Sequence, residues 1–245
     1  MKVLLTVIAI TPSFLCTYNN IFRKSHEYYA KKHSYDFKVI EHMLDHTVNH
    51  TSAFSFQKIL VCSQDWSAQY DYIIAIDGDI FINPDSPPIH TCIDFEDKIG
   101  IVDEKQQPSL ELRERYDGTA REYYKRADLD IFTRMELNTG VMVFQPKYHA
   151  TFLRNIFDKY VRGCMISNLG YHYEQSTVGY EIITNNMYKI IPWKFNAIWG
   201  LCKEILKNQN ISMEDFFKNN YFMHFAGNVD WYDVPGILHK FIPEH

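Results

Sequence analysis

Two carboxylates one residue apart, Asp77 and Asp79, close the run Tyr72-Ile-Ile-Ala-Ile-Asp77-Gly-Asp79. Side chains of an extended chain alternate faces, so both point the same way with only Gly78 between them. Like charges held that close need a cation. Oxygen ligands at the end of a rigid strand suit hard divalent ions such as Mg²⁺ or Mn²⁺. His224, in Tyr221-Phe-Met-His224-Phe-Ala-Gly227, is the candidate third ligand, because the residues after it make a tight turn with accessible backbone. An imidazole in the set tilts the preference toward Mn²⁺, with Mg²⁺ as the alternative. A pair of diphosphate oxygens would complete the shell, so the ion would clamp a nucleotide diphosphate and stabilise its charge as it leaves.

Elements must hold these groups. Lys2 to Ile10 reads as a buried strand, Tyr18 to Lys32 as a helix, and Phe37 to Glu41 as a second strand. Ser52 to Cys62 follows as a helix, and Tyr72 to Ile76 as the strand that delivers the carboxylates. The order βαβαβ predicts an α/β chain with an open, mostly parallel central sheet flanked by helices, where ligands sit beyond the carboxyl ends of the strands. Farther on, the pattern predicts a strand over Lys98–Val102, a turn into a strand over Leu137–Phe144, and helices near 148–161 and 173–183. A short strand over Tyr188–Ile191 and a last strand ending at Gly227 complete the order. Between them, the polar stretch 103–135 is either a solvated helix with loops or a flap over the site.

The 245 residues, 46% hydrophobic, are enough to bury a substantial core, and 1–245 reads as one domain. A formal charge of −5 and the lack of a basic block exclude the electrostatic footprint of a nucleic-acid binder. The five cysteines are far apart with no CxxC pair, which argues against a zinc site and a disulfide framework. No run approaches the roughly 20 apolar residues of a membrane span. The opening Met1–Ile10 reads as a strand rather than a signal peptide, so the expected setting is cytoplasmic, and the sequons at Asn49 and Asn210 carry no weight there.

Five segments in this order resemble the GT-A glycosyltransferases, in particular the retaining glycogenin and lipopolysaccharide galactosyltransferase family. They are also similar to the fungal galactosyl- and mannosyltransferases and plant xylosyltransferases. The segments are Asp77-Gly-Asp79, Leu137-Asn-Thr-Gly-Val141, Glu174-Gln-Ser176, Ile191-Pro-Trp-Lys-Phe-Asn196 and His224-Phe-Ala-Gly227. Tyr29-Ala-Lys-Lys-His-Ser-Tyr-Asp36 looks like a further element of the second group.

That resemblance implies a Rossmann-like GT-A fold and a hexosyltransferase that takes a nucleotide-sugar donor, UDP-glucose or UDP-galactose, and passes the sugar with retention to a glycan, lipid or protein acceptor. It also implies roles. Asp77, Asp79 and His224 hold the metal, and Asp77 also meets the ribose. Thr11 and Tyr18 line the base and ribose pocket. Lys58 reaches the donor sugar or phosphate. Gly78, Asn138, Gly140 and Gly227 belong with the donor contacts. Glu174 and Gln175 face the anomeric carbon, with Gln175 stabilising an oxocarbenium-like transition state. The basic residue often found after H-F-x-G is missing, which leaves diphosphate neutralisation to the metal or to Lys194.

Two rival readings of the same residues stand beside it. A carboxylate pair after an apolar strand also opens haloacid-dehalogenase-type phosphatases, though there the motif normally continues with Thr or Val and lies near the chain start. A non-catalytic nucleotide-sugar-binding domain is the other, since fold does not imply turnover.

Overall fold

The computed structural model describes residues 1–47, 53–114, 125, 135–162, 174–227 and 230–244. Most of the polar stretch read as a solvated helix with loops or as a flap lies outside these residues, as do Asn49 and Cys164. The strands are β1 (Val3–Ile8), β2 (Asp36–Ile40), β3 (Tyr72–Ile76), β4 (Ile80–Ile82), β5 (Ile99–Asp103), β6 (Leu137–Phe144), β7 (Tyr188–Ile190), β8 (Ala197–Ile198) and β9 (Phe222–His224). The helices are α1 (Pro12–Ile21), α2 (Arg23–Lys32), α3 (Ala53–Phe56), α4 (Pro146–Phe157), α5 (Gln175–Thr184), α6 (Trp199–Asn208), α7 (Met213–Asn219) and α8 (Val234–Leu238).

Six strands form one sheet in the order β2-β1-β3-β6-β5-β7. β1 runs parallel to β2 and β3, and β5 parallel to β7, while β6 is antiparallel to both of its neighbours. Alternation along the strands sorts the core into two halves. Leu5, Val7, Ile74, Ile76, Val141 and Val143 pack on one face, and Leu4, Ile73, Ala75, Met142 and Phe144 on the other. Both faces are covered, which is why β3 and the second half of β6, Val141–Phe144, read as unbroken apolar runs rather than alternating ones, and β1 is broken only by Thr6. Among the described residues no helix is long and apolar enough to cross a membrane.

The structure alters several expectations. The helix read from Tyr18 to Lys32 is two helices meeting at Phe22. The first starts earlier because Thr11 caps it, its Oγ1 accepting from Phe14 N–H at 3.3 Å with Pro12 at the first position. The helix read over Ser52–Cys62 is one turn, α3, followed by a 3₁₀ turn over Gln57–Ser63. Residues 57–62 are all buried, so no amphipathic spacing marks the change of period. Leu137-Asn-Thr-Gly140 is not a turn before a strand but the first half of β6, buried throughout and matched by a register shift in β5 between Ile101 and Val102. A second, three-stranded sheet, β4-β9-β8, was not legible in the sequence.

Candidate active site

The chain leaves the large sheet at Ile76 and enters the small one at Ile80, so Asp77-Gly78-Asp79 spans the seam between them. Each end of that span is pinned by backbone: Asp77 N–H donates to Gly140 C=O at 2.8 Å, and Phe225 N–H donates to Asp79 C=O at 2.9 Å. The β4–β9 register pairs Ile80 with His224, which sets the imidazole beside the second carboxylate. His224 Nε2 lies 3.3 Å from Asp79 Oδ1 and 3.8 Å from Asp77 Oδ2. One ligand atom from each of the three lies within 4.8 Å of the others.

A chain of amides fixes which imidazole nitrogen faces the carboxylates. Asn138 Oδ1 accepts from Gly140 N–H at 2.7 Å and from Asn196 Nδ2 at 2.6 Å. Asn196 therefore turns its Oδ1 to His224, whose Nδ1–H donates to it at 2.8 Å. The neutral ring then carries its lone pair on Nε2, toward Asp77 and Asp79, as a metal-ligating histidine requires. Gly140 is part of this arrangement because a Cβ there would meet His224 Cε1 at 2.5 Å.

Lys58 lies behind the pair. Only 4% exposed, it donates from Nζ to Asp77 Oδ1 at 2.5 Å and to Thr139 C=O at 3.0 Å, and pairs with Glu174 Oε1 at 2.6 Å. Thr139 Oγ1 donates to the same Glu174 oxygen at 2.7 Å. Burial opposes the Lys58 charge, but Asp77 and Glu174 outweigh it and hold the ammonium well above the usual lysine range. Burial likewise opposes the Glu174 charge, and Lys58 wins there too, keeping that carboxyl below its ordinary range. Burial disfavours protonated His224, yet the Asp79 carboxylate overrides it and raises the imidazole. Three carboxylates against one ammonium leave this centre two negative charges with His224 neutral, the deficit a divalent cation fills. The carboxylate and imidazole donors therefore fit a metal of the Mn²⁺ or Mg²⁺ kind.

Gln175 opens α5, directly after Glu174. Its Nε2 donates to Glu104 Oε1 at 3.1 Å and reaches Glu136 Oε1 at 3.4 Å, while its Oε1 accepts from Asn138 Nδ2 at 3.1 Å. Asn138 Nδ2 also donates to Glu104 Oε1. Burial pushes the Glu104 carboxyl up to about 7 and the Glu136 carboxyl up to about 9, from an ordinary 4.5. The fold thus holds protons that the unfolded chain releases above about pH 4.5, so stability of the metal-free protein falls as pH rises through these values. Between pH 7 and pH 9 the expected loss is about 5 °C in Tm, with Glu136→Gln flattening the slope. Differential scanning calorimetry of both proteins checks this, and an equally steep fall in the variant would place the titration elsewhere.

The remaining expected residues divide by location. Thr11 sits in the loop after β1 as the α1 cap. Tyr18 is fully buried, its hydroxyl paired with His26 Nδ1 at 3.2 Å, and its ring lies under Gly78, where a Cβ would meet Tyr18 Cδ2 at 3.5 Å and Phe14 Cζ at 2.7 Å. Gly227 takes a left-handed φ of 82°, the turn its place after His224 demands. Lys194 Nζ lies 5.8 Å from the Tyr221 ring centroid. Sequence reasoning assigned no role to Glu104, Glu136, Thr139 or Phe14. Asn196 stood out only as the end of Ile191-Pro-Trp-Lys-Phe-Asn196; it lies 28 positions before His224, and no local pattern links the two.

No protein-family model and no curated protein matches the chain. Solved structures match it over nearly its full length. A glycosyltransferase involved in the glycosylation of the major capsid of PBCV-1 superposes with a TM-score of 0.62 at 16% identity, covering 97% of this chain and 98% of that one. The galactosyltransferase LgtC, in complex with donor and acceptor sugar analogs, gives 0.56 at 9% identity over 93% of this chain and 87% of LgtC. An active-site glutamine-to-glutamate mutant of LgtC gives 0.57 at 10% identity over 93% and 88%. The chain has the GT-A glycosyltransferase fold.

Proposed function

We propose that this chain is a metal-dependent glycosyltransferase that moves a hexose from a UDP-sugar, UDP-glucose or UDP-galactose, to a hydroxyl of a glycan, lipid or protein acceptor, with retention. Residues 1–245 act in this reading as one catalytic domain drawing on a cytoplasmic pool of nucleotide sugar. The observation that carries it is the Asp77, Asp79 and His224 cluster at the seam of a GT-A fold, with the imidazole lone pair directed at the two carboxylates.

Asp77, Asp79 and His224 would hold Mn²⁺. The ion, when bound, neutralises negative charge on the diphosphate as it leaves. The chain's own residues do the rest. Glycosyl transfer develops positive charge on the sugar ring, and Gln175, half-buried at the start of α5, offers a fixed dipole to it. Lys58 and Glu174 set the Asp77 side chain by their shared ion pairs, so its position costs no reorganisation as the reaction proceeds. The acceptor hydroxyl attacks from the leaving-group side and gives its proton to a departing phosphate oxygen, so no protein base is assigned.

A panel of UDP-, GDP- and dTDP-sugars, each with Mn²⁺ or with chelator, tests the reading through Tm and release of free nucleoside diphosphate. UDP-glucose or UDP-galactose is expected to raise Tm and turn over with Mn²⁺ alone. Silence toward every nucleotide sugar, with hydrolysis of simple phosphate esters, would overturn it in favour of the phosphatase.

A further inference from the structure

Behind Gln175 lies a pair of carboxyl groups for which glycosyl transfer, as described, has no use. Glu104 follows β5 and Glu136 precedes β6; Glu104 N–H donates to Glu136 C=O at 2.8 Å, so the ends of the two strands hold the side chains together. Each residue is 3% exposed, and Glu136 Oε2 has no hydrogen-bond partner. Burying two carboxyls side by side is costly.

Their contacts converge on one amide. The two hydrogens of Gln175 Nε2 face Glu104 Oε1 and Glu136 Oε1, and Gln175 Oε1 accepts from Asn138 Nδ2. Turning the amide over would press its oxygen against two carboxyl oxygens and its NH₂ against the NH₂ of Asn138. Asn138 cannot turn to match, because its own Oδ1 is held by Gly140 N–H and Asn196 Nδ2. One amide orientation is therefore imposed, and the capacity left open is the second lone pair of Gln175 Oε1. Donating N–H bonds to carboxyl oxygens also draws electron density onto that oxygen, since linked hydrogen bonds polarise one another.

We propose that Glu104 and Glu136 are positioning residues that clamp and polarise Gln175, so that its carbonyl oxygen, not its NH₂, faces the positive charge developing on the donor sugar. The clamp rests on the glycosyl-transfer reading above and extends it to two residues outside the segments that carry that reading.

The test is a double-mutant cycle on the full chain with Mn²⁺ and whichever nucleotide sugar turns over. Glu104→Gln removes the charge without changing shape and lets the Gln175 amide invert. The expected result is a kcat lower by about 10- to 100-fold, in the range of lost transition-state dipoles, with donor KM and UDP affinity within about threefold of wild type. In a Gln175→Ala background the same substitution is expected to change kcat by less than about threefold, because its route to the substrate is gone. Full kcat in Glu104→Gln, or an equal loss in the Gln175→Ala background, overturns the clamp while leaving glycosyl transfer intact. Should Glu104→Gln fail to fold, Glu136→Leu, which removes the second acceptor of the Gln175 amide whether or not that carboxyl is ionised, carries the same cycle with the same two outcomes. A wild type that releases nucleoside diphosphate from no sugar donor defeats the underlying reading, and the clamp with it.

Discussion

Asp79→Asn is expected to yield a folded protein whose Mn²⁺-dependent turnover is lower by about 10³-fold or more, the scale of removing a preorganised charge that stabilises the transition state. The substitution is nearly isosteric and leaves Asp79 C=O to accept from Phe225 N–H, so the seam between the sheets stays closed. What changes is charge: the centre keeps one negative charge where two had matched a divalent ion, and a neutral amide oxygen replaces an anionic ligand. Without metal, the variant loses the 3.3 Å pairing with His224 but also the repulsion from Asp77, so its Tm should lie close to that of the metal-free wild type. The two proteins separate when metal is added. Wild type gains stability with Mn²⁺ by mass action, and the variant does not. Melting curves with and without Mn²⁺, beside turnover, read both effects; Mn²⁺-dependent turnover within tenfold of wild type would remove Asp79 from the metal set.

The same residues show what the sequence could and could not convey. Asp77 and Asp79 were legible because a five-residue strand, Tyr72–Ile76, buried on both faces, ends just before them. His224 was legible as a candidate from the small residues that follow it. Their meeting was not, because it depends on the pairing of β4 with β9, strands of three residues each, too short for any alternation to show. Lys58 entered only through likeness to a family; locally it lies in a buried 3₁₀ turn with no periodic pattern.

Glu104 and Glu136 were opaque for a different reason. They are 32 positions apart, each at a strand end where acidic residues are ordinary, and only the antiparallel pairing of β5 with β6 brings them under Gln175. That pairing interrupts the parallel sheet predicted from the βαβαβ order. Asn138 was misplaced for the same cause: the Asn-Thr-Gly composition of a turn occurs inside a strand, because Gly140 is set by the approach of His224 and not by a positive φ. Turn chemistry and close packing select the same residue, and only tertiary structure separates them.

Lys58→Met is expected to be the most destabilising single change at this centre, by about 3–5 kcal/mol, the usual cost of removing one partner from a buried ionic network. Met matches the length and apolar stem of lysine, so the loss reports charge and not a cavity. Asp77 and Glu174 are left without the ammonium that each touches, at 2.5 and 2.6 Å, and Glu174 keeps its bonds from the Thr139 hydroxyl and its own backbone N–H. The sign of the pH dependence follows. In wild type the Glu174 carboxyl is held below its ordinary 4.5, so its pairing stabilises the fold above that value and is lost as pH falls through the lowered one. The gap between wild type and Lys58→Met should therefore be widest near pH 7 and should narrow toward pH 4, where the orphaned carboxyl takes up a proton. Mn²⁺ should restore part of the difference, since a cation held by Asp77 relieves one of the two stranded charges, while Glu174 lies on the far side of the missing ammonium. Lys58→Arg should not rescue, because a planar guanidinium demands more room than the compact Nζ site provides. Denaturant unfolding of the three proteins at pH 4.5 and pH 7, with and without Mn²⁺, measures all four effects. A pH-independent loss would mean that Lys58 contributes packing rather than the charge that sets Asp77.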